Sequence, residues 1–369
     1  MAESAPPQGV DPTEHWRSQM KDVSDNLLTA CGSSSRLALH VAMTGFDNRK
    51  RLPDWLVDIS LKHQHLAGAS LILFQPTISR LQRGMTECQC SPFGRLHVLN
   101  CVGSGSLAER LPALRDGPQL TCSSDSDLMI ELGPVQWVTA DGEQLTPAAT
   151  AHGEQPNTDT SSDTRSVASS AVSRLVIAET ENPGFLRVLQ EKSPSCTHAE
   201  QLPFERKRAR SLLDACYKVY CPERQRNTAG PSTSSSITES ELSPLGGQVT
   251  EHDHVACLYV PGWWPSDEFF QRTPSYDWPP KAVRDEIRVF GVHLVPVGAS
   301  GSPTEDTEWR LSCSRAELVL ASYLTEIQAW SLIAFKTCKS AMGAEGKSVK
   351  SYFAKTALFW LCQVSGSFT

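Results

Sequence analysis

Apolar and polar positions alternate in short blocks over most of the chain, and lengthen into helix-spaced stripes only towards the carboxyl end. His97–Val102 (HVLNCV) reads as a strand. It runs into Gly103-Ser104-Gly105-Ser106, a sharp turn, after which Leu107–Leu114 has helical spacing. Asp127–Leu132 and Val135–Val138 read as strands. Leu175–Ala178 and Phe185–Leu189 flank Asn182-Pro183-Gly184, which predicts a hairpin. Val255–Val260 predicts a strand, Ala282–Phe290 a helix and Val292–Val297 a strand-like exit. Upstream, Val23–Ala69 is mixed and mostly helical. Ser70–Phe74 fits a buried strand or a helix edge equally well, and Phe204–Tyr220 predicts a helix. From Trp309 the pattern turns helical. Leu320, Leu324, Ile327 and Ala334 mark one face of a long helix, and Val349, Phe353, Ala357 and Leu361 mark another at steps of four.

Two stretches break this pattern. Residues 140–170 and 225–249 are rich in Ser, Thr, Gly and acidic residues, with few large apolar ones. Such segments bury too little surface to offset their ordering entropy, so both read as disordered insertions. The reading is α+β: a disordered terminus over 1–22, a mixed-sheet core over 23–300 holding both insertions, and a helical domain over 301–369.

Composition narrows the function classes. With 40% hydrophobic and 7% aromatic residues, a packed core is available beside the disordered sequence. A net charge of −7 argues against a surface that wraps nucleic acid broadly, though a local basic patch stays open. Arg206, Lys207, Arg208 and Arg210, or Arg49, Lys50 and Arg51, are either such patches or solvated faces. The first ten residues, MAESAPPQGV, lack the form of a signal peptide, and no apolar run reaches membrane-spanning length. The expectation is a cytoplasmic protein without membrane attachment, with the nucleus as a second compartment. Its 12 irregularly spaced cysteines are then expected as thiols.

Three features carry candidate chemistry. Gly105-Ser106 lies between a strand and a helical start, where backbone N–H groups and a hydroxyl suit a phosphate; it is also ordinary turn sequence. Asp125 and Asp127 are two apart at the beginning of an apolar strand, which puts both carboxylates on one face. Hard divalent cations take oxygen ligands of this kind, although Ser-Asp-Ser-Asp also suits a polar loop end. Asp253 precedes a second apolar strand and would complete a two-metal set, or else be a solvated loop residue.

Taken together, Gly-Ser on a strand–helix turn, then Asp-x-Asp opening a strand, then a later Asp opening another, follow the layout of nucleotidyltransferase sheets. Asp253–Pro265 (DHVACLYVPGWWP), Trp309–Ser314 (WRLSCS) and Ser351–Cys362 (SYFAKTALFWLC) resemble motifs of the Mab-21 family, relatives of cyclic GMP–AMP synthase. The resemblance covers roughly residues 95–138 and 253–362. It implies a nucleotidyltransferase-fold mixed sheet with flanking helices, followed by a helix-hairpin-helix-like carboxyl-terminal domain. Asp125, Asp127 and Asp253 match the acids that hold two Mg2+ or Mn2+ ions. Gly105 and Ser106 match the donor-phosphate turn, Lys336 and Ser351 match phosphate contacts, Tyr352 a base-stacking ring, and Arg310 and Ser312 acceptor-base contacts. More ordinary roles also fit: packing for Tyr352, a solvated lysine for Lys336, and an ion pair of Arg310 with Glu305 or Glu308. Leu358, Phe359, Trp360 and Leu361 are expected in the core.

The resemblance further implies ATP and GTP as substrates, a cyclic dinucleotide as product in innate immune signalling, and double-stranded RNA or DNA as activator. The zinc ribbon of cyclic GMP–AMP synthase has no counterpart: Ala316–Lys336 contains neither His nor Cys. Arg110–Ser124 is longer than the matching stretch of that enzyme. The chain stops soon after the Ser-Tyr-x-x-Lys-Thr helix, so the helical domain is expected to be cut short, with Phe353, Phe359 or Trp360 left partly uncovered. The rival expectation is a non-catalytic scaffold or adaptor of the same family.

Overall fold

A computed structural model describes residues 41–42, 51–67, 96–115, 121–123, 126–133, 135–145, 173–190, 209, 226–229, 232–236 and 251–364, apart from 55, 59, 62, 66, 273, 275, 276 and 344. Ser70–Phe74 and nearly all of Phe204–Tyr220 lie outside the described residues, as does Asp125. The described fold is α+β, built on a large mixed sheet.

The strands are β1 (His97–Ser104), β2 (Ala113–Arg115), β3 (Thr121–Ser123), β4 (Ser126–Gly133), β5 (Val135–Thr139), β6 (Gln144–Leu145), β7 (Ser173–Glu179), β8 (Phe185–Gln190), β9 (Arg226–Ala229), β10 (Ser232–Ser236), β11 (Glu251–Val260), β12 (Val292–Val295) and β13 (Glu308–Ser312). The main sheet runs β1-β4-β11-β12-β13-β8-β7-β5-β6, and β2 pairs with β3 separately. β11 is the branch point. One edge takes β4 in parallel; the other takes β10 along its first half and β12 along its second.

Side-chain alternation divides the sheet into two faces. Leu128, Ile130, Leu132, Ala256, Leu258, Leu294 and Trp309 belong to the main core cluster on the first face. Full burial of a large apolar side chain contributes about 1.5–3 kcal/mol. The intervening residues on β4, β11, β12 and β13 share the second face. They include Asp127, Glu131, Asp253, Tyr259, His293, Arg310 and Ser312.

The helices are α1 (Gly105–Ala108), α2 (Glu268–Gln271), α3 (Lys281–Phe290), α4 (Ser314–Ser322), α5 (Glu326–Ala341) and α6 (Ser351–Val364). The described positions between 54 and 67 are helical too. Their Leu56 joins Leu111, Leu114, Trp330, Ile333 and Leu358 in a second core. No described helix is long and apolar enough to cross a membrane.

Several expectations are corrected. The span 225–249 is not wholly irregular: β9 and β10 pair there, and β10 docks on β11. Composition tests whether a segment can build a core, whereas strand pairing needs only backbone partners. The helical character begins at Ser314, not Trp309, because Glu308–Ser312 is a strand within the sheet. Trp309 is buried while Arg310 is exposed, a period of two. The single long helix is two helices. Thr325 caps α5 in a reciprocal box with Gln328, which starts a new helix at Glu326.

Leu107–Leu114 is helical for only one turn. Arg110 then adopts φ 62°, a left-handed conformation that costs a non-glycine residue about 1 kcal/mol. On α6 the Val349–Phe353–Ala357–Leu361 face is the exposed one; Lys355, Leu358, Phe359 and Cys362 point inward. Trp360 and Leu361, expected in the core, are 49% and 45% exposed. An apolar residue occurs at nearly every step of this helix, so its pattern left the inward side undetermined.

Candidate active site

Asp253 lies inside β11 rather than before it, since β11 starts at Glu251. In the parallel pairing of β4 with β11, Asp253 stands directly opposite Asp127. Neighbouring strands lie about 4.8 Å apart, so two carboxylates 126 positions apart in sequence come side by side on the second face. Like charges directly opposite are unfavourable unless a cation or hydrogen-bond donors lie between them.

Gly105 closes one side of this pair. Its φ is 71°, and a β-carbon there would overlap the Asp127 carboxylate. Glycine is required both for the turn and for the close approach. Ser106 follows on α1. α1 has only four residues, so the polarity of this turn comes from local N–H groups and the Ser106 hydroxyl rather than from a helix dipole.

Lys336 comes from α5 to the same turn. Its Nζ donates to Ser106 Oγ at 2.8 Å and to the Leu111 carbonyl at 2.7 Å. The side chain is buried, not solvated. Burial pushes the ammonium down to about 8, against the opposite pull of the Glu109 and Asp127 carboxylates. Ser106, Lys336 and Asp127 therefore share one electrostatic neighbourhood.

Glu109 and Lys355 belong to the same assembly; Lys355 is the lysine of the Ser-Tyr-x-x-Lys-Thr motif, but neither residue was assigned a role from sequence. Lys355 Nζ donates to Glu109 Oε1 and Glu317 Oε2, each at 2.7 Å. Burial works against its charge, but the two carboxylates outweigh it and hold the ammonium well above the usual lysine range. The available signal was a lysine within an apolar stripe of α6. Ser351 begins α6, and Tyr352 is 57% exposed, its ring 5.8 Å from Lys355 Nζ. Burial and the Glu317 carboxylate raise the Tyr352 phenol.

Arg310 and Ser312 lie on β13, on the same face as the acids, opposite Val295 and His293. The proposed ion pair of Arg310 with Glu308 is not formed. Glu308 instead accepts from Asn182, Ser302, Thr304 and the Ala299 N–H, while Arg310 is exposed. Beyond Ser312, Glu131 accepts from both Arg315 and His293, and the other nitrogen of His293 meets Ser314 Oγ at 2.8 Å. Burial opposes ionisation of Glu131, but His293 and Arg315 together lower its carboxyl. This network fixes the first turn of α4 to the sheet.

The chain matches no family model and no curated protein sequence.

Asp127 and Asp253 offer the hard oxygen donors that a divalent ion requires. Among the described residues, no group of three His, Cys, Asp or Glu side chains is gathered for a metal, and Asp125 lies outside those residues. Strand alternation along β11 puts His254 and Cys257 on opposite faces. Burial and the adjacent His63 hold His254 neutral down to about 3. A cavity of about 270 Å3 opens behind the turn, between Glu109, Arg110, Leu318 and Glu326. None of Asp127, Asp253, Ser106 or Tyr352 lines it, so it is separate from the acid pair.

Proposed function

We propose that the protein is a Mab-21-type nucleotidyltransferase, moving a nucleotidyl group from a nucleoside triphosphate to a hydroxyl with release of pyrophosphate. The observation that carries this reading is the registered pair Asp127–Asp253, with Gly105 against the Asp127 carboxylate. Two Mg2+ or Mn2+ ions held by Asp125, Asp127 and Asp253 would supply Lewis acidity, lowering the pKa of the attacking hydroxyl and neutralising charge on the leaving phosphates.

The chain's own residues divide the remaining work. Gly105 and Ser106 present N–H groups and a hydroxyl to donor phosphates. Lys336 orients the Ser106 hydroxyl and adds positive charge close by. Ser351 contributes a further phosphate contact, and the exposed Tyr352 ring offers a face for a base to stack on. Arg310 and Ser312 lie on the acid-bearing face and are assigned to the acceptor base. ATP and GTP are the proposed substrates, and a cyclic dinucleotide for innate immune signalling is the proposed product. Double-stranded RNA or DNA is the proposed activator. The basic runs suited to that role lie outside the described residues, except Arg51.

A second reading, a scaffold that binds a protein partner, is favoured by one feature. α6 exposes Phe353, Trp360, Leu361 and Val364, an apolar face of the kind that marks interaction surfaces. The two readings separate on incubating the purified chain with labelled ATP, GTP and Mn2+, with and without duplex RNA or DNA. The enzyme reading expects a new nucleotide product that disappears on combining Asp125→Asn with Asp127→Asn. No product under any condition supports the scaffold, and product from the double variant refutes the acid assignment.

A further inference from the structure

Two successive helices each send one buried lysine to the same short turn. Lys336 of α5 holds Ser106 and the Leu111 carbonyl; Lys355 of α6 holds Glu109. The turn itself is closed by backbone bonds from Glu109 N–H to the Gly105 carbonyl and from Leu111 N–H to the Ser106 carbonyl. Ser60 Oγ donates to the Ala108 carbonyl from the helical segment on the other side. Arg110, next to Glu109, keeps its left-handed backbone within this frame. Strained conformations persist where the surroundings over-determine them.

The charges at 109 and 355 are not needed merely to fill space. Lys355 sits on the inward side of α6 with Leu358, Phe359 and Cys362. Replacing a buried ion pair by well-packed apolar groups is often neutral or stabilising. What the pair supplies is direction. Glu109 is anchored at 2.7 Å, and Gly105, four residues earlier, is pressed against Asp127.

Resting on the nucleotidyltransferase reading, we propose that Lys355 is a positioning residue for the donor-phosphate turn. By anchoring Glu109 it fixes Gly105 and Ser106 relative to Asp127. Its hydrogen bonds go to Glu109 and Glu317, and its effect reaches the phosphates through the turn. α6 thereby couples its own position to triphosphate binding.

The test compares binding of two fluorescent probes, N-methylanthraniloyl ATP with Mn2+ and the same fluorophore on adenosine, to the full chain. Lys355→Met is expected to weaken the ATP probe by about tenfold or more, since misplacing a positioning group by an ångström carries penalties of that order. The adenosine probe should stay within about twofold, and Lys355→Arg should recover most of the ATP affinity. Glu317→Gln keeps the Glu109–Lys355 contact and should bind as wild type. A folded Lys355→Met protein with wild-type ATP-probe affinity overturns the proposal. If that variant does not fold, Glu109→Gln replaces it: the same selective loss is expected, and wild-type affinity overturns the proposal. Absence of ATP-probe binding by the wild-type chain defeats the nucleotidyltransferase reading itself, and this inference with it.

Discussion

Lys336 Nζ lies 2.8 Å from Ser106 Oγ, a contact across 230 positions of sequence that ties α5 to the turn beside Asp127. The same ammonium bonds the Leu111 carbonyl, so removing it strands two polar groups at once. Lys336→Met is expected to cost about 1–3 kcal/mol in chemical denaturation. Its pH signature is more specific. Lys336 titrates near 8 in the folded chain instead of 10.5, so between those values the unfolded chain binds more protons. Stability should therefore rise with pH from about 8 towards 10.5, and the Lys336→Met protein should lack that slope. Parallel slopes in the two proteins would contradict the assignment.

Glu308 organises the connection leading into β13. Burial is the largest single influence on its carboxyl and works upward. Hydrogen bonds from Thr304, the Ala299 N–H, Ser302 and Asn182 together outweigh it and bring the group down to about 2. The depressed value means that its stabilisation is present above the ordinary carboxyl range and is lost as pH falls from about 4.5 towards 2. Glu308→Gln should flatten that acid limb. Glu308→Ala should cost about 1–3 kcal/mol at neutral pH by leaving four partly buried donors without their shared acceptor. Urea titrations at pH 7 and pH 3 check both, and a wild-type acid limb in Glu308→Gln would refute the account.

The two sides of α6 predict opposite mutational costs. Phe359 is buried, whereas Phe353 is 65% exposed. Phe359→Ala should destabilise by about 3–5 kcal/mol. Phe353→Ala should remain within about 0.5 kcal/mol of wild type, as surface substitutions usually do. Equal losses measured by thermal or urea unfolding would mean that the helix is turned the other way.

Much of the fold was legible because strand periodicity was clean. β4, the β7–β8 hairpin and the apolar half of β11 follow alternation, and Asn182-Pro183-Gly184 marks its own turn. β13 was hidden because Glu308–Ser312 is short and adjoins a helix. β10 was hidden because Ser and Thr contribute little to a core, whereas its pairing with β9 and β11 needs only backbone partners. The acids were visible as strand-opening aspartates, but the pairing of Asp127 with Asp253 depends on register between strands far apart in sequence. Lys355 stands in the Ser-Tyr-x-x-Lys-Thr motif, but its pairing with Glu109 was hidden for a similar reason: the fold brings together two residues 246 positions apart. Asp125, the remaining acid, lies outside the described residues.

The proposed function requires that Asp127 and Asp253 share a divalent cation. Mn2+ titration of the chain with a non-hydrolysable ATP analogue, followed by electron paramagnetic resonance, tests it directly. The wild type should bind Mn2+, and Asp127→Asn and Asp253→Asn should each weaken binding by about tenfold or more, with the double variant little worse than either single one, because the two side chains act as one site. Wild-type Mn2+ affinity in a folded Asp253→Asn protein would contradict a shared ion.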